Sequence, residues 1–316
     1  MRAIWRSCLS LPSNEYSASL IIGVASAALF MLAVISGLGF FFLFLPSLPL
    51  FFVGLRGKHR IALLSSIIAS LLIGLFTGLE VASIFLLLVG LPAWYIAKKS
   101  LISANDGEQI YWFPVGQIFI QLIICACLLI AAMTLYYTSA EGGITAVLST
   151  HIREEFSHLE AQYGDALIAI AEHWTFVIFA MTVWLWALAL YAHVWCANKL
   201  LAHKEKTIRP HFIIQPFLPP NWLLGLMAIC GLASLIGSES MQFLAKSSLV
   251  SLLFVYFILG CGIMHAASQK WPSPRFSLFF IYFMIFVFMW PAFIIAGVGL
   301  VHHIKGLSGS SGSTTS

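Results

Sequence analysis

Apolar stretches of about 18 residues or more recur from one end of this chain to the other, and each is long enough to cross a hydrocarbon layer of about 30 Å as a helix. That recurrence leaves few ways to fold. A soluble arrangement is excluded by the shortage of ions: 9% of the 316 residues are charged and 60% are hydrophobic, with a mean hydropathy of +0.96, where a globular protein carries about 25% charged residues. The stretches are continuously apolar instead of alternating, so they read as helices and not as β-barrel strands. The expected fold class is all-α, a polytopic transmembrane helical bundle. A single integral-membrane domain is expected over 1–307, followed by a disordered Ser/Gly-rich tail at 308–316.

About nine spans are predicted: Ser17 to Ile35, Gly37 to Leu55, Ile61 to Thr77, Val81 to Ile96, Phe113 to Tyr137, Trp174 to Cys196, Trp222 to Ile236, Leu249 to His265 and Phe276 to Val301. An A-x-A-like triplet, Ala25 to Ala27, lies inside the first apolar run, so that run reads as an uncleaved anchor. With the N-terminus in the cytoplasm, all 16 Lys and Arg except Arg153, Lys246 and Lys305 fall on the cytoplasmic side, as the positive-inside rule requires. The predicted location is the bacterial inner membrane, and the main contact partner is the lipid bilayer. Because the cations are spread over loops without interleaved aromatics, the net charge of +4 gives no nucleic-acid surface. Six cysteines lie mostly within spans with no C-x-x-C among them, and read as small buried apolar groups.

The stretch "FFLFLPSLPLFFVGLRGKHR" (41–60) holds Pro46 and Pro49 inside an apolar run. A span carrying them must be kinked or broken where neighbours or a cavity satisfy the freed backbone groups. Broken spans hold substrate in many transporters, and prolines also mark plain turns between short spans. Ser19, Gly23 and Ala27 share one face of the first span at four-residue intervals. They suit close helix packing, either within the chain or against a partner subunit.

Polar groups within spans are costly and tend to face a cavity or a partner. Gln117, Gln121 and Cys125 share a face of the fifth span. In the sixth, Trp184, Tyr191, Trp195 and Asn198 share a face with His193 nearby, and the eighth ends with Cys261 and His265. Gln117, Gln121, Trp184, Tyr191, Trp195, Asn198 and His265 are the candidates for lining a ligand cavity. Interfacial aromatic belts and interhelical amide bonds are the other account of the same residues.

Between the fifth and sixth spans, Ile144, Leu148, Ile152, Phe156, Leu159, Tyr163, Leu167 and Ile170 recur at helical spacing. They predict an amphipathic outer segment over 140–171, a candidate lid. His151, Glu155 and His158 share one face of it at a spacing a metal could use, and a solvated face explains them equally. No metal or other cofactor is assigned. Catalytic templates are absent: there is no G-x-S-x-G, no Walker loop, no dinucleotide fingerprint and no intramembrane carboxylate pair, Glu80 standing alone near an interface. The chain is not expected to be an enzyme.

The motifs "LPSLPLFFVGL", "GLPAWYIAKK", "YWFPVGQ", "NKLLA", "LPPNWLL" and "MWPAFIIAGVGL" resemble the uncharacterised bacterial membrane-protein family labelled YybS-like, over nearly the whole chain. That family is in turn similar, in hydropathy and in the small residues of its first span, to the S components of energy-coupling-factor transporters. The resemblance implies a small-molecule binding or transport component that depends on a coupling subunit and an ATPase partner. The alternative is a non-transporting scaffold or cell-envelope factor.

Overall fold

The computed structural model describes residues 15–36, 44–107, 109–137, 143–163, 170, 172–203, 208–209 and 217–311, with the side chains of 155–163 and 307–311 outside that description. Twelve α-helices follow in order: α1 (Glu15–Ser36), α2 (Ser47–Gly54), α3 (His59–Thr77), α4 (Leu79–Phe85), α5 (Leu91–Ser100), α6 (Val115–Tyr136), α7 (Gly143–Tyr163), α8 (Thr175–Ala202), α9 (Trp222–Ile236), α10 (Glu239–Ser268), α11 (Pro274–Phe288) and α12 (Pro291–Ser311). A π-helical turn, Leu86–Gly90, joins α4 to α5, and strands β1 (Ser103–Asn105) and β2 (Ile110–Trp112) pair antiparallel between α5 and α6. The protein is a polytopic helical membrane protein. The chain divides into two compact units, Met1–Ile118 with Trp186–Ile213, and Phe119–Leu185 with Ile214–Ser316.

Among the described residues, six helical segments are long and apolar enough to cross a membrane: α1, α3, Leu79–Ser100, α6, α8 and α10. A seventh is counted if the bent pair α11 and α12 is one span. Three of the expected spans are not among these six segments. Residues 37–43 lie outside the description, and the rest of the second expected span holds the eight-residue α2. Pro46 and Pro49 fall at its cap and first turn, where a missing N–H costs nothing. Trp222 to Ile236 has the predicted bounds, but its 15 residues rise only about 22 Å. Phe276 to Val301 is two helices bent by 118°, because Met289 sits at φ 56° and Pro291 begins the next helix.

In the first unit, serines and glycines set the spacing of the helices. A Cβ on Gly23 would stand 2.9 Å from Ile68 Cγ2 and 3.0 Å from the Ser65 carbonyl, while Ser65 Oγ donates to the Ser19 carbonyl at 3.1 Å. Both contacts advance together along α1 and α3, so these helices run parallel. Ser19, Gly23 and Ala27 are buried, and the described contacts spend the Gly23 face on α3 of the same chain. Farther along α3, Ser66 donates to the Gly90 carbonyl at 3.3 Å and Ser70 to the Ala82 carbonyl at 2.9 Å. Trp186 Nε1 reaches the Leu88 carbonyl at 2.7 Å, inside the π turn, where the widened ladder leaves backbone groups to satisfy. Buried Arg209 donates to the carbonyls of Ser100 and Phe113 at 3.2 and 3.1 Å, tying down the end of α5. Burial holds its guanidinium below its ordinary pKa.

In the second unit, α10 and α12 cross in contact. A Cβ on Gly260 would collide with the Ile295 carbonyl and one on Gly299 with the Tyr256 carbonyl, an antiparallel pairing that only Gly permits. Tyr256 OH and His303 Nδ1 share a 3.2 Å hydrogen bond on the same seam. None of the residues of α11 is buried. It starts six residues after the end of α10, and Tyr282, half-way along it, meets His265 in the last turn of α10. The helical backbone of α12 continues to Ser311, into the stretch expected to be disordered from 308; residues 312–316 lie outside the description. The five described cysteines are free, with Cys125 exposed and the others half-buried, so they are not the fully buried groups predicted.

Candidate functional site

The sequence-predicted cavity residues fall in both units and have individual environments. Trp184 is buried among Phe254, Phe257 and Phe293, with ring centroids 5.3 to 5.7 Å away, and donates to the Val250 carbonyl at 3.0 Å. Its polar edge is thereby used by the backbone. Trp195 is 39% exposed and lies under Lys199 Nζ at 3.9 Å, as in an interfacial belt. His265 is exposed, beside Tyr282 OH at 3.2 Å. Asn198 is buried, Gln117, Gln121 and Tyr191 are half-buried, and Cys125 on the glutamine face is exposed.

At the N-cap of α2, Ser26 Oγ, half-way along α1, donates to the Pro46 carbonyl at 3.1 Å. From there α2 descends until Gly54 meets Ala62 and Ala97. The helix therefore starts at mid-length of its neighbour and ends at the cation-bearing end. Ser47, fully buried, donates to the Phe44 carbonyl at 2.7 Å and lies 3.1 Å from His193 Nδ1. A hydroxyl has one proton, so with Phe44 taking it His193 must donate through Nδ1–H. In that arrangement the imidazole does not take a proton from Ser47.

The second unit holds a cavity of about 480 Å³ lined by Thr145, Ala146 and Ser149 of α7, by Glu172, His173, Thr175 and Phe176 at the start of α8, and by Glu239, Gln242, Phe243 and Lys246 of α10. Its existence follows from the pattern of α7. Ile144 and Leu148 pack on Ile130, Phe243 and Phe179, while Thr150, His151, Arg153 and Glu154 stay exposed, so the helix leans on α10 along one stripe only. Arg153 reaches Glu172 with Nε at 2.7 Å from Oε1 and a second nitrogen at 3.1 Å from Oε2, a two-pronged pair that ties α7 to the start of α8. Lys246 Nζ is 3.3 Å from Gln242 Oε1 and 5.8 Å from the Phe176 ring centre. Gln242 is itself fixed by donating to the Gly237 carbonyl at 3.0 Å. Ser238 caps α10, accepting from Met241 N–H at 3.4 Å, and Glu239 occupies the first turn, where the helix dipole favours a negative charge.

Of the proposed metal trio, His151 lies 3.7 Å from Glu154 with both side chains 70% exposed. The side chains of Glu155 and His158 lie outside the description. Among the described residues no group of three or more His, Cys, Asp or Glu could hold a metal ion.

Residues 24–301 match the family described as "Predicted membrane protein (DUF2232)". The chain belongs to this family. No curated protein and no solved structure matches the chain. For this DUF2232 protein, membership supports the membrane location and the helical, multi-pass character. Glu172, Gln242 and Phe176 were not among the residues predicted from sequence. Their one signal was indirect. Arg153 and Lys246 are two of the three cations expected outside; Lys246 lines this cavity and Arg153 pairs with Glu172 of its lining.

Proposed function

We propose that this DUF2232 protein is a small-molecule binding component of the bacterial inner membrane, with its N-terminus in the cytoplasm and its ligand entering the cavity between α7 and α10 from outside. The observation that carries the reading is a cation, Lys246, lining a cavity of about 480 Å³ near the start of a helix apolar enough to span the bilayer, a charged group set among apolar walls as in small-molecule sites. The chain does no chemistry on the ligand. Transport would take its energy from a separate coupling subunit and ATPases, as in the S components of energy-coupling-factor transporters that the YybS-like resemblance implies. Nine crossings, an odd number, fit this orientation with the C-terminus outside.

Purification of the tagged full chain from its native membrane in mild detergent tests the proposal. Recovery of a transmembrane coupling subunit and paired ATPases in fixed ratio, with a small molecule retained, is the expected result. Recovery of envelope-assembly proteins without any ATPase would replace it with the scaffold reading.

A further inference from the structure

We infer that the cavity between α7 and α10 binds a carboxylate carried on a small apolar body, a statement that rests on reading this cavity as a ligand site. Its charges do not balance at one point. Glu172 is neutralised by the two-pronged contact with Arg153. Glu239 sits seven residues before Lys246 on α10, about 10 Å along the helix, and is offset by the helix dipole. Lys246 has a neutral amide oxygen at 3.3 Å and an aromatic face; among the described residues no carboxylate lies within ion-pair distance of it.

An ammonium ion held against an apolar helix gains most from an anion that arrives desolvated with it. Phe176 and Phe243, which share the lining with Lys246, supply the apolar wall that such a ligand's body needs. The hydroxyls of Ser149 and Thr175 are already donating, to the carbonyls of Ala146 and Glu172 at 2.9 and 2.8 Å. Lys246 is the one Lys or Arg in the lining and so the fixed positive charge placed to pair an acid group. The carboxylate can come from water, as in an aromatic acid, or from the bilayer, as in a fatty acid.

The test is thermal unfolding of the full-length protein in detergent with phenylacetate, its neutral amide phenylacetamide, phenethylamine or laurate. Phenylacetate or laurate is expected to raise the unfolding midpoint by a few degrees, and which of the two does so identifies the source. The amide and the amine are expected to leave the midpoint unchanged. Lys246→Met should weaken the apparent affinity roughly thirtyfold or more, and Lys246→Arg should keep it. Gln242→Glu, which places a carboxylate beside the ammonium, should abolish the effect independently. An equal response to phenylacetamide, or an undiminished one in both Lys246→Met and Gln242→Glu, overturns the carboxylate assignment. A response confined to the amide or the amine and lost in Ala146→Trp overturns the assignment while keeping the cavity as a binding site. No response to any of the four compounds overturns both.

Discussion

Arg153 and Glu172 form a well-aligned pair whose side chains are 54% and 24% exposed, and solvent screening limits what such a pair contributes to about 0.5–1 kcal/mol. Its effect is better sought in the mobility of α7. Arg153→Glu should speed amide hydrogen exchange in the first half of α7, and adding Glu172→Arg should restore the slower rate; hydrogen exchange with mass spectrometry reads both. A double variant as fast as the single one would show that the ion pair does not hold the helix. At this scale the sequence was informative about kind and silent about partner. Arg153 and Lys246 stood out as two of the three cations expected outside, whereas Glu172 and Gln242 are ordinary polar residues until α7, α8 and α10 bring them together. Ser47 and His193 are 146 positions apart, and no local pattern pairs them.

Among elements, the glycines divide into those with a backbone or side chain against them and those without. Gly260→Ala and Gly299→Ala would each drive a methyl into a carbonyl that cannot step aside. Each should destabilise by about 3 kcal/mol or more, the upper range for overpacking. Gly262→Ala and Gly297→Ala, on the same two helices with nothing within 4 Å, should be nearly neutral. Titration with a denaturing detergent compares the four, and equal losses in both pairs would contradict the crossing described. Gly23→Ala, against a side chain and a carbonyl at 2.9 and 3.0 Å, should cost about 1–3 kcal/mol by the same mechanism.

Helix boundaries were legible where apolar runs end in charge or glycine: α3 was expected from Ile61 to Thr77 and occurs as His59–Thr77. They were not legible at Pro291. Like Pro46 it lies within an apolar run, and periodicity has no term for the 118° bend at Met289. The π turn at Leu86–Gly90 was equally hidden, since it depends on contacts with Ser66 and Trp186.

For the whole molecule, composition established the solvent and the class, and the family match over residues 24–301 agrees with both. The count of crossings depends on the short and bent helices, and labelling can resolve it within the second unit. In a background with the six cysteines replaced by serine, a membrane-impermeant thiol reagent should reach Ser238→Cys and Ser311→Cys from the same side and Ser273→Cys from the other. That pattern follows from the antiparallel seam of α10 and α12, with Ser238 and Ser273 at opposite ends of α10. Labelling of Ser273→Cys and Ser311→Cys from one side would sink it.

The first unit is assembled from two separated stretches of chain, its later part contributing Trp186 to the π turn and Arg209 to the end of α5. Synthesis proceeds at about 5–20 residues per second, so the ribosome delivers Arg209 roughly 5–20 s after Ile118. During that interval the N-terminal helices sit in the bilayer with the Leu88 carbonyl lacking its indole, while the intervening part of the other unit is being threaded. Maturation of the N-terminal half thus waits on a segment encoded two-thirds of the way along the message, and a quality-control protease acting on nascent membrane proteins would meet that half first in its incomplete form.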